Sequence, residues 1–401
     1  MLAAKKPDST KPHASKRWIA ASTGGAALLG LGLAVGLWKA SPPAGPVAAN
    51  ASVSPVAAST KQERKAERRA ARQAARREAS RAVAAPPPVA PAADGTLGVR
   101  WVRFEGACDA SGAVPVDARH FAVADDEDNV LRVYDAYAGG EAVRRTNLSK
   151  QIALKKKGEA DIEAATSIGD RAFWLTSHGR NAKGDEDPNR SLVITTQLPT
   201  LDERVAVEGE VYRELLHDLQ QEPSLAPYQL TRASELAPKE PGGLNIEGLT
   251  ATPDGKLLIG FRSPLAGTRA LLVPIENPAA LYGAGKVKLG APIELDLGGL
   301  GVRSLSWWRG SYLIAAGSTG AGGPSRLYRW SGPGTEPRIA AESVFEGSNP
   351  EAFFSAEDND QILVLSDDGT RDVGGKPCKK LKSKKHKSFR GVWLTPPVDK
   401  S

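Results

Sequence analysis

One short phrase, a charged residue placed just ahead of small or apolar ones, recurs through this chain. It reads Phe104-Glu105-Gly106-Ala107, Ile162-Glu163-Ala164-Ala165, Ile246-Glu247-Gly248-Leu249, Val302-Arg303-Ser304-Leu305 and Pro350-Glu351-Ala352-Phe353. Four copies carry glutamate and one carries arginine at the same place. Units that repeat at intervals of roughly 20–50 residues stack on one another, so equivalent positions are brought together in space. The charged positions are 58, 84, 56 and 48 residues apart, and only the second interval is out of line.

The third unit shows most plainly what each repeat builds. Asn245 to Thr250 reads as a short strand, Thr252-Pro253-Asp254-Gly255 as a hairpin turn, and 256–262 and 269–275 as second and third strands. An alternating segment at 292–297 supplies a fourth. Second and third strands follow at 121–124 and 130–134, 172–176 and 192–196, 312–316 and 327–330, and 361–365 and 391–394. Four antiparallel strands per repeat make a propeller blade. The fold class is therefore all-β, a five-bladed β-propeller, with six blades as the alternative. The long interval holds Val211, Leu215, Leu216 and Leu219 at helical spacing and is read as a helical insertion at 210–221. The last unit lacks a fourth strand, and an unassigned strand at 97–103 would complete it by closing the ring.

The chain before residue 95 has a different composition. Residues 1–17 are polar and basic, and 18–38 form an apolar run bounded by Trp18 and Trp38. That length suits one transmembrane anchor, with a cleaved signal peptide as the competing reading. The basic N-terminus places the large domain outside the cytoplasm, at a bacterial inner membrane facing the periplasm, or secreted after cleavage. Residues 39–94 are an Ala/Pro-rich linker containing a basic helical stretch at 61–84, and its cations at 61–81 are either a solvated stalk or a contact for anionic lipid. The whole chain is +7, but residues 1–91 carry +11, which leaves −4 for the propeller region at 95–398 and its flanks. The basic balance belongs to the tether and gives no general case for nucleic acid.

The start of each first strand and the end of each second strand lie on one rim. Glu105, Glu163, Glu247, Arg303 and Glu351 would share that rim with loops bearing Asp125, Arg180, Arg262 and Asp367. Carboxylates converging on an axis cannot all stay ionised and unpaired. Arg303, Arg262 and the loop arginines would neutralise them internally; a calcium ion would do so through the glutamates with Asp125 or Asp367; backbone amides are the third means. Arg190, Arg269, Arg326 and Arg390, which stand at the third strands, are expected to latch onto the blade glutamates. His178 is the one histidine on the rim and the sole weak candidate for proton transfer. No serine elbow, zincin motif or phosphate-binding glycine loop is present. Cys108 and Cys378 are either a single disulfide or two free thiols.

The phrases Asn245-Ile246-Glu247-Gly248-Leu249, 258–264, Phe104-Glu105-Gly106-Ala107 and 174–180 resemble a bacterial family catalogued as domain of unknown function 3616, with 242–249 the most specific part. In style the chain is also similar to esterase-like and phytase-like propellers, a resemblance that implies axial carboxylates able to hold calcium and phosphate. Two functions are consistent with these readings. One is an envelope module that binds a small-molecule or protein ligand at the rim; the other is a calcium-dependent phosphoesterase or esterase at the same place.

Overall fold

The computed structural model describes Ala71 and residues 99–154, 158–320, 322–356 and 359–396. The segments read as an N-terminal arm, anchor and linker at 1–94 lie outside the described residues, Ala71 apart. Among the described residues no helix is long and apolar enough to cross a membrane.

The first strand, β1 (Arg100–Glu105), precedes a first blade of β2 (Gly112–Pro115), β3 (His120–Ala124), β4 (Val130–Asp135) and β6 (Arg144–Asn147); β5 (Gly140–Glu141) is a two-residue strand between the last two. The second blade is β7 (Ile162–Ile168), β8 (Arg171–Thr176) and β9 (Val193–Gln197). Helices α1 (Leu215–Gln221) and α2 (Leu230–Ala233) follow. The third blade is β10 (Asn245–Ala251), β11 (Leu257–Ser263), β12 (Ala270–Ile275) and β13 (Ile293–Leu295), and the fourth is β14 (Gly301–Trp308), β15 (Ser311–Gly317), β16 (Ser325–Trp330) and β17 (Arg338–Ala341). The fifth runs β18 (Pro350–Phe354), β19 (Ile362–Ser366) and β20 (Ser388–Leu394), and β1 pairs antiparallel with β20 to complete it. Five blades form a closed ring, sealed by the N-terminal strand as the sequence led one to expect.

Side-chain alternation explains why these segments form blades. On β3, Phe121 and Val123 enter the core shared with the fifth blade, while Ala122 and Ala124 enter the core shared with the second. Every blade is apolar on both faces, because each is sandwiched between two neighbours. The five buried clusters accordingly fall one at each blade interface. Close packing near the axis requires small residues: a Cβ on Gly248 would lie 2.7 Å from Val302 Cγ1 of the next blade. The insertion is helical, but α1 starts at Leu215 instead of 210, since Tyr212 bridges Val193 as the remnant of a fourth strand. Leu215 and Leu219 pack it into the interface between the second and third blades.

Ring closure also corrects one reading of the repeat. Glu105 ends β1, the fourth strand of the fifth blade, which carries the two-residue β5 on its outer side, so Phe104-Glu105-Gly106-Ala107 opens no blade. The first blade starts instead at Asp109-Ala110-Ser111-Gly112, where Ser111 takes the place held by glutamate elsewhere.

Cys108 and Cys378 are joined, with their Cα atoms 5.8 Å apart and a sequence separation of 270. The bond ties the segment after β1 to the loop between β19 and β20, so it reinforces closure covalently. Constraining so long a loop in the unfolded chain is stabilising, and replacing both cysteines by alanine is expected to cost roughly 2–4 kcal/mol in equilibrium urea unfolding. A double variant as stable as the parent would show that strand pairing alone seals the ring.

Candidate functional site

The repeated residue reaches the axis through a local backbone device. In β7, β10, β14 and β18 the register shifts at Glu163, Glu247, Arg303 and Glu351, so each is the extra residue of a β-bulge. A bulge leaves its residue outside the ladder and re-aims the side chain. Sequence reasoning found the repeat, but not this reason for it.

The ring divides into two electrostatic halves. On the side of the third, fourth and fifth blades the acids are paired. Glu247 Oε1 accepts from Arg262 Nη1 at 2.8 Å and from Asn245 Nδ2 at 2.7 Å, and its Oε2 lies 3.7 Å from Arg303 Nε. Arg303 also pairs with Glu351. Arg262 donates further to the carbonyls of Ser318 and Gly320 at 2.9 and 2.6 Å. Burial pushes the Arg303 guanidinium down and Glu247 opposes that shift. Here the arginines neutralise the carboxylates internally.

On the side of the first and second blades they do not. Asp109, Asp125 and Asp126 bring oxygens within 4.8 Å of one another, and Asp126, Asp161 and Glu163 do the same. Asp109, Asp125 and Asp161 are buried, while Asp126 and Glu163 are half-buried and give the cluster its access. Within it, Asp161 is paired with Arg190. Among the described residues no basic nitrogen pairs with Asp109, Asp125, Asp126 or Glu163. Asp109 Oδ2, Asp126 Oδ1 and Ser111 Oγ are buried without a hydrogen-bond partner.

Burial followed by neighbouring carboxylates raises the pKa of Asp109, Asp126 and Glu163 far above the usual range. Burial and Asp128 push Asp125 up to about 6, against the opposing pull of Arg132. Asp109 and Asp367 are close enough to perturb each other. The Asp367 carboxyl is held below its ordinary value: burial opposes that shift, and the neighbouring Asp109 carboxyl and the charge of Arg303 outweigh it. Gly369 backs directly onto Asp109, with room for no side chain between them.

These shifts give a pH dependence with a definite sign. A carboxyl whose pKa is raised in the fold stabilises it at low pH, and that contribution is lost as pH rises. Asp125 acts from about pH 4 to about 6, and Asp109, Asp126 and Glu163 act beyond it. His178, pushed down to about 4 by burial, acts oppositely, its contribution being lost as pH falls from 6.5 through about 4. Between pH 6.5 and 8, in chelator, unfolding free energy is therefore expected to fall by about 1.4 kcal/mol per pH unit for each carboxyl still protonated in the fold. A flat urea-denaturation series over that range would contradict it.

The remaining candidates lie elsewhere. Glu105 is on β1, away from the inner strands. Arg180 donates to the carbonyls of Ser234 and Gly184 at 2.9 and 3.1 Å, fastening the insertion. The buried His178 holds the Thr176 carbonyl through Nδ1 at 2.7 Å, and no cluster carboxylate contributes to its shift. Of the arginines expected to latch onto blade glutamates, Arg190 holds Asp161, whereas Arg269, Arg326 and Arg390 hold Glu336, Glu342 and Asp368. Asp367 also lines a cleft of about 710 Å³ between the fourth and fifth blades, together with Arg326 and Arg371.

Fold and site define a five-bladed propeller with a buried, half-neutralised ring of charge at its axis. Residues 202–356 match a family described as Protein of unknown function (DUF3616), which bears out over that stretch the resemblance seen in the sequence. No curated protein matches the chain in sequence. Among solved structures it is similar to the PQQ-bound aldose sugar dehydrogenase of Streptomyces coelicolor, with 15% identity over 77% of this chain and 99% of that one and a TM-score of 0.40. It is likewise similar to the glutaminyl cyclase of Myxococcus xanthus, with 14% identity over 75% and 96% and a TM-score of 0.41. Neither likeness bears on the site.

Proposed function

We propose that this chain is a binding propeller of the cell envelope, whose axial mouth holds a calcium-class cation and presents it to an oxygen-bearing ligand on the rim. The observation that carries this reading is the unneutralised half of the ring, with Asp109 Oδ2, Asp126 Oδ1 and Ser111 Oγ buried and unpartnered. The donors are all oxygens, as a hard cation requires. Oxygens gathered within 4.8 Å of one another are near enough to share one cation, and the flexible, all-oxygen coordination of calcium suits a set of carboxylates from separate loops. Asp109, Asp125 and Asp126, or Asp126 with Asp161 and Glu163, would hold it, displacing the protons that the raised carboxyls carry without a metal. The Asp367 cleft beside the cluster offers room for a small-molecule or protein ligand.

This cation set keeps Glu163 and Asp125 of the first reading and takes Asp109, Asp126 and Asp161 in place of Glu105, Glu247, Glu351 and Asp367. The hydrolytic alternative draws no support from His178, whose ring stands apart from the cluster. The disulfide fits an oxidising compartment, which favours the envelope placement. Thermal unfolding of the full chain in calcium and in chelator, beside a phosphoesterase and esterase panel, tests the reading. Saturating calcium at about a hundredfold over Kd is worth about 2.7 kcal/mol, hence a rise of several degrees, with no turnover. Identical melting in both conditions would remove the cation from the account.

A further inference from the structure

We propose that the fifth blade carries a docking surface for an anionic lipid bilayer, formed by the loop between β19 and β20 and by strand β1. The inference is independent of the axial cation.

Seven lysines lie within residues 376–387, and no acidic residue occurs from 373 to 396. The negative balance of the propeller region conceals this local charge. Lys376, Lys380, Lys382, Lys384 and Lys385 are exposed. Lys379 and Lys384 reach Glu127 and Asp128 of the first blade at 2.8 and 3.4 Å. Among the described residues no carboxylate pairs with Lys376, Lys380, Lys382 or Lys385. A run of like charges ordinarily extends into solvent. This one is held in shape by the Cys108–Cys378 bond, by 3-10 turns at Cys378–Lys380 and Lys384–His386, and by Arg371, which donates to the Ser388 carbonyl at 2.9 Å.

The neighbouring strand adds apolar and aromatic surface. Val99 and Trp101 are 41% and 42% exposed, Arg103 is exposed beside them, and Arg390 stands over the Trp101 ring at 5.4 Å. Gly106 N donates to the Lys387 carbonyl at 2.9 Å, which joins loop to strand. An indole and a valine next to clustered cations suit a headgroup layer, whereas a free-anion site calls for the cations alone.

The test is lysine footprinting of the full chain with an acetylating reagent and mass spectrometry. Phosphatidylcholine vesicles are compared with vesicles half phosphatidylglycerol, and the readout is local to the loop, so binding through the tether does not mimic it. Expected is at least threefold slower labelling of Lys380, Lys382, Lys384 and Lys385 with anionic vesicles only, relieved by 0.5 M salt and weakened in Trp101→Ala. Unchanged labelling with anionic vesicles overturns the proposal. So does equal protection by glycerol phosphate, which would mean a free-anion site, or protection by duplex DNA where vesicles give none.

Discussion

Glu247→Gln is expected to lower unfolding free energy by about 3–5 kcal/mol, the cost of stranding buried charge by removing one partner. Glu247 is 2% exposed and is the hub between Arg262 and Arg303, each 8% exposed. Its Oε1 accepts from Arg262 and Asn245, and its Oε2 faces Arg303. The glutamine has the same shape but leaves two guanidinium groups sharing the charge of Glu351. The glutamate best placed in its motif is therefore chiefly architectural. Chemical denaturation checks this, and a second variant sharpens it: Glu247→Gln combined with Arg262→Met should cost less than the two changes summed, because the pair acts as a unit. A loss under about 1 kcal/mol would mean that the arginines find other partners.

Asp126→Asn is expected to do the reverse. Asp126 belongs to both carboxylate triads, and each neighbouring acid raises its pKa after burial has done so. Asp126 has to take up a proton to be held there at neutral pH, and asparagine removes that requirement, so in chelator the change should stabilise the protein by about 1.4 kcal/mol for each pH unit above the unfolded carboxyl pKa of about 4. The same change should abolish the stabilisation by calcium, since it removes the negative charge and one carboxylate oxygen of the residue common to both triads. Opposite effects on the metal-free fold from two carboxyls on one axis separate the site from its scaffold. If Asp126→Asn destabilises the metal-free protein as Glu247→Gln does, the cluster is neutralised internally and the division of the ring fails.

Much of the fold was legible because blades alternate apolar residues on both faces and turns punctuate them. The second and third strands and the closing role of the N-terminal strand followed directly. The first blade was misread because Phe104-Glu105-Gly106-Ala107 imitates the phrase while lying on the closing strand, and the true copy carries Ser111 in place of an acid. A different signal marks it: an Asx residue stands two places ahead in Asp109, Asp161, Asn245 and Asn349. The site was half legible. Glu163, Glu247, Arg303 and Glu351 do converge, but which of them are paired depends on Arg262 reaching inward and on Arg180 turning away to the insertion. Asp126 and Asp161 entered no motif, because a run such as Asp125-Asp126-Glu127-Asp128 does not reveal which side chain points to the axis.

Calorimetric titration of the full chain with calcium tests the central claim most directly. The account predicts one cation bound per chain by the parent, no detectable binding by Asp126→Asn, and release of protons as the raised carboxyls ionise. Absence of binding heat in two buffers of different ionisation enthalpy, or equal binding by the parent and Asp126→Asn, would contradict it.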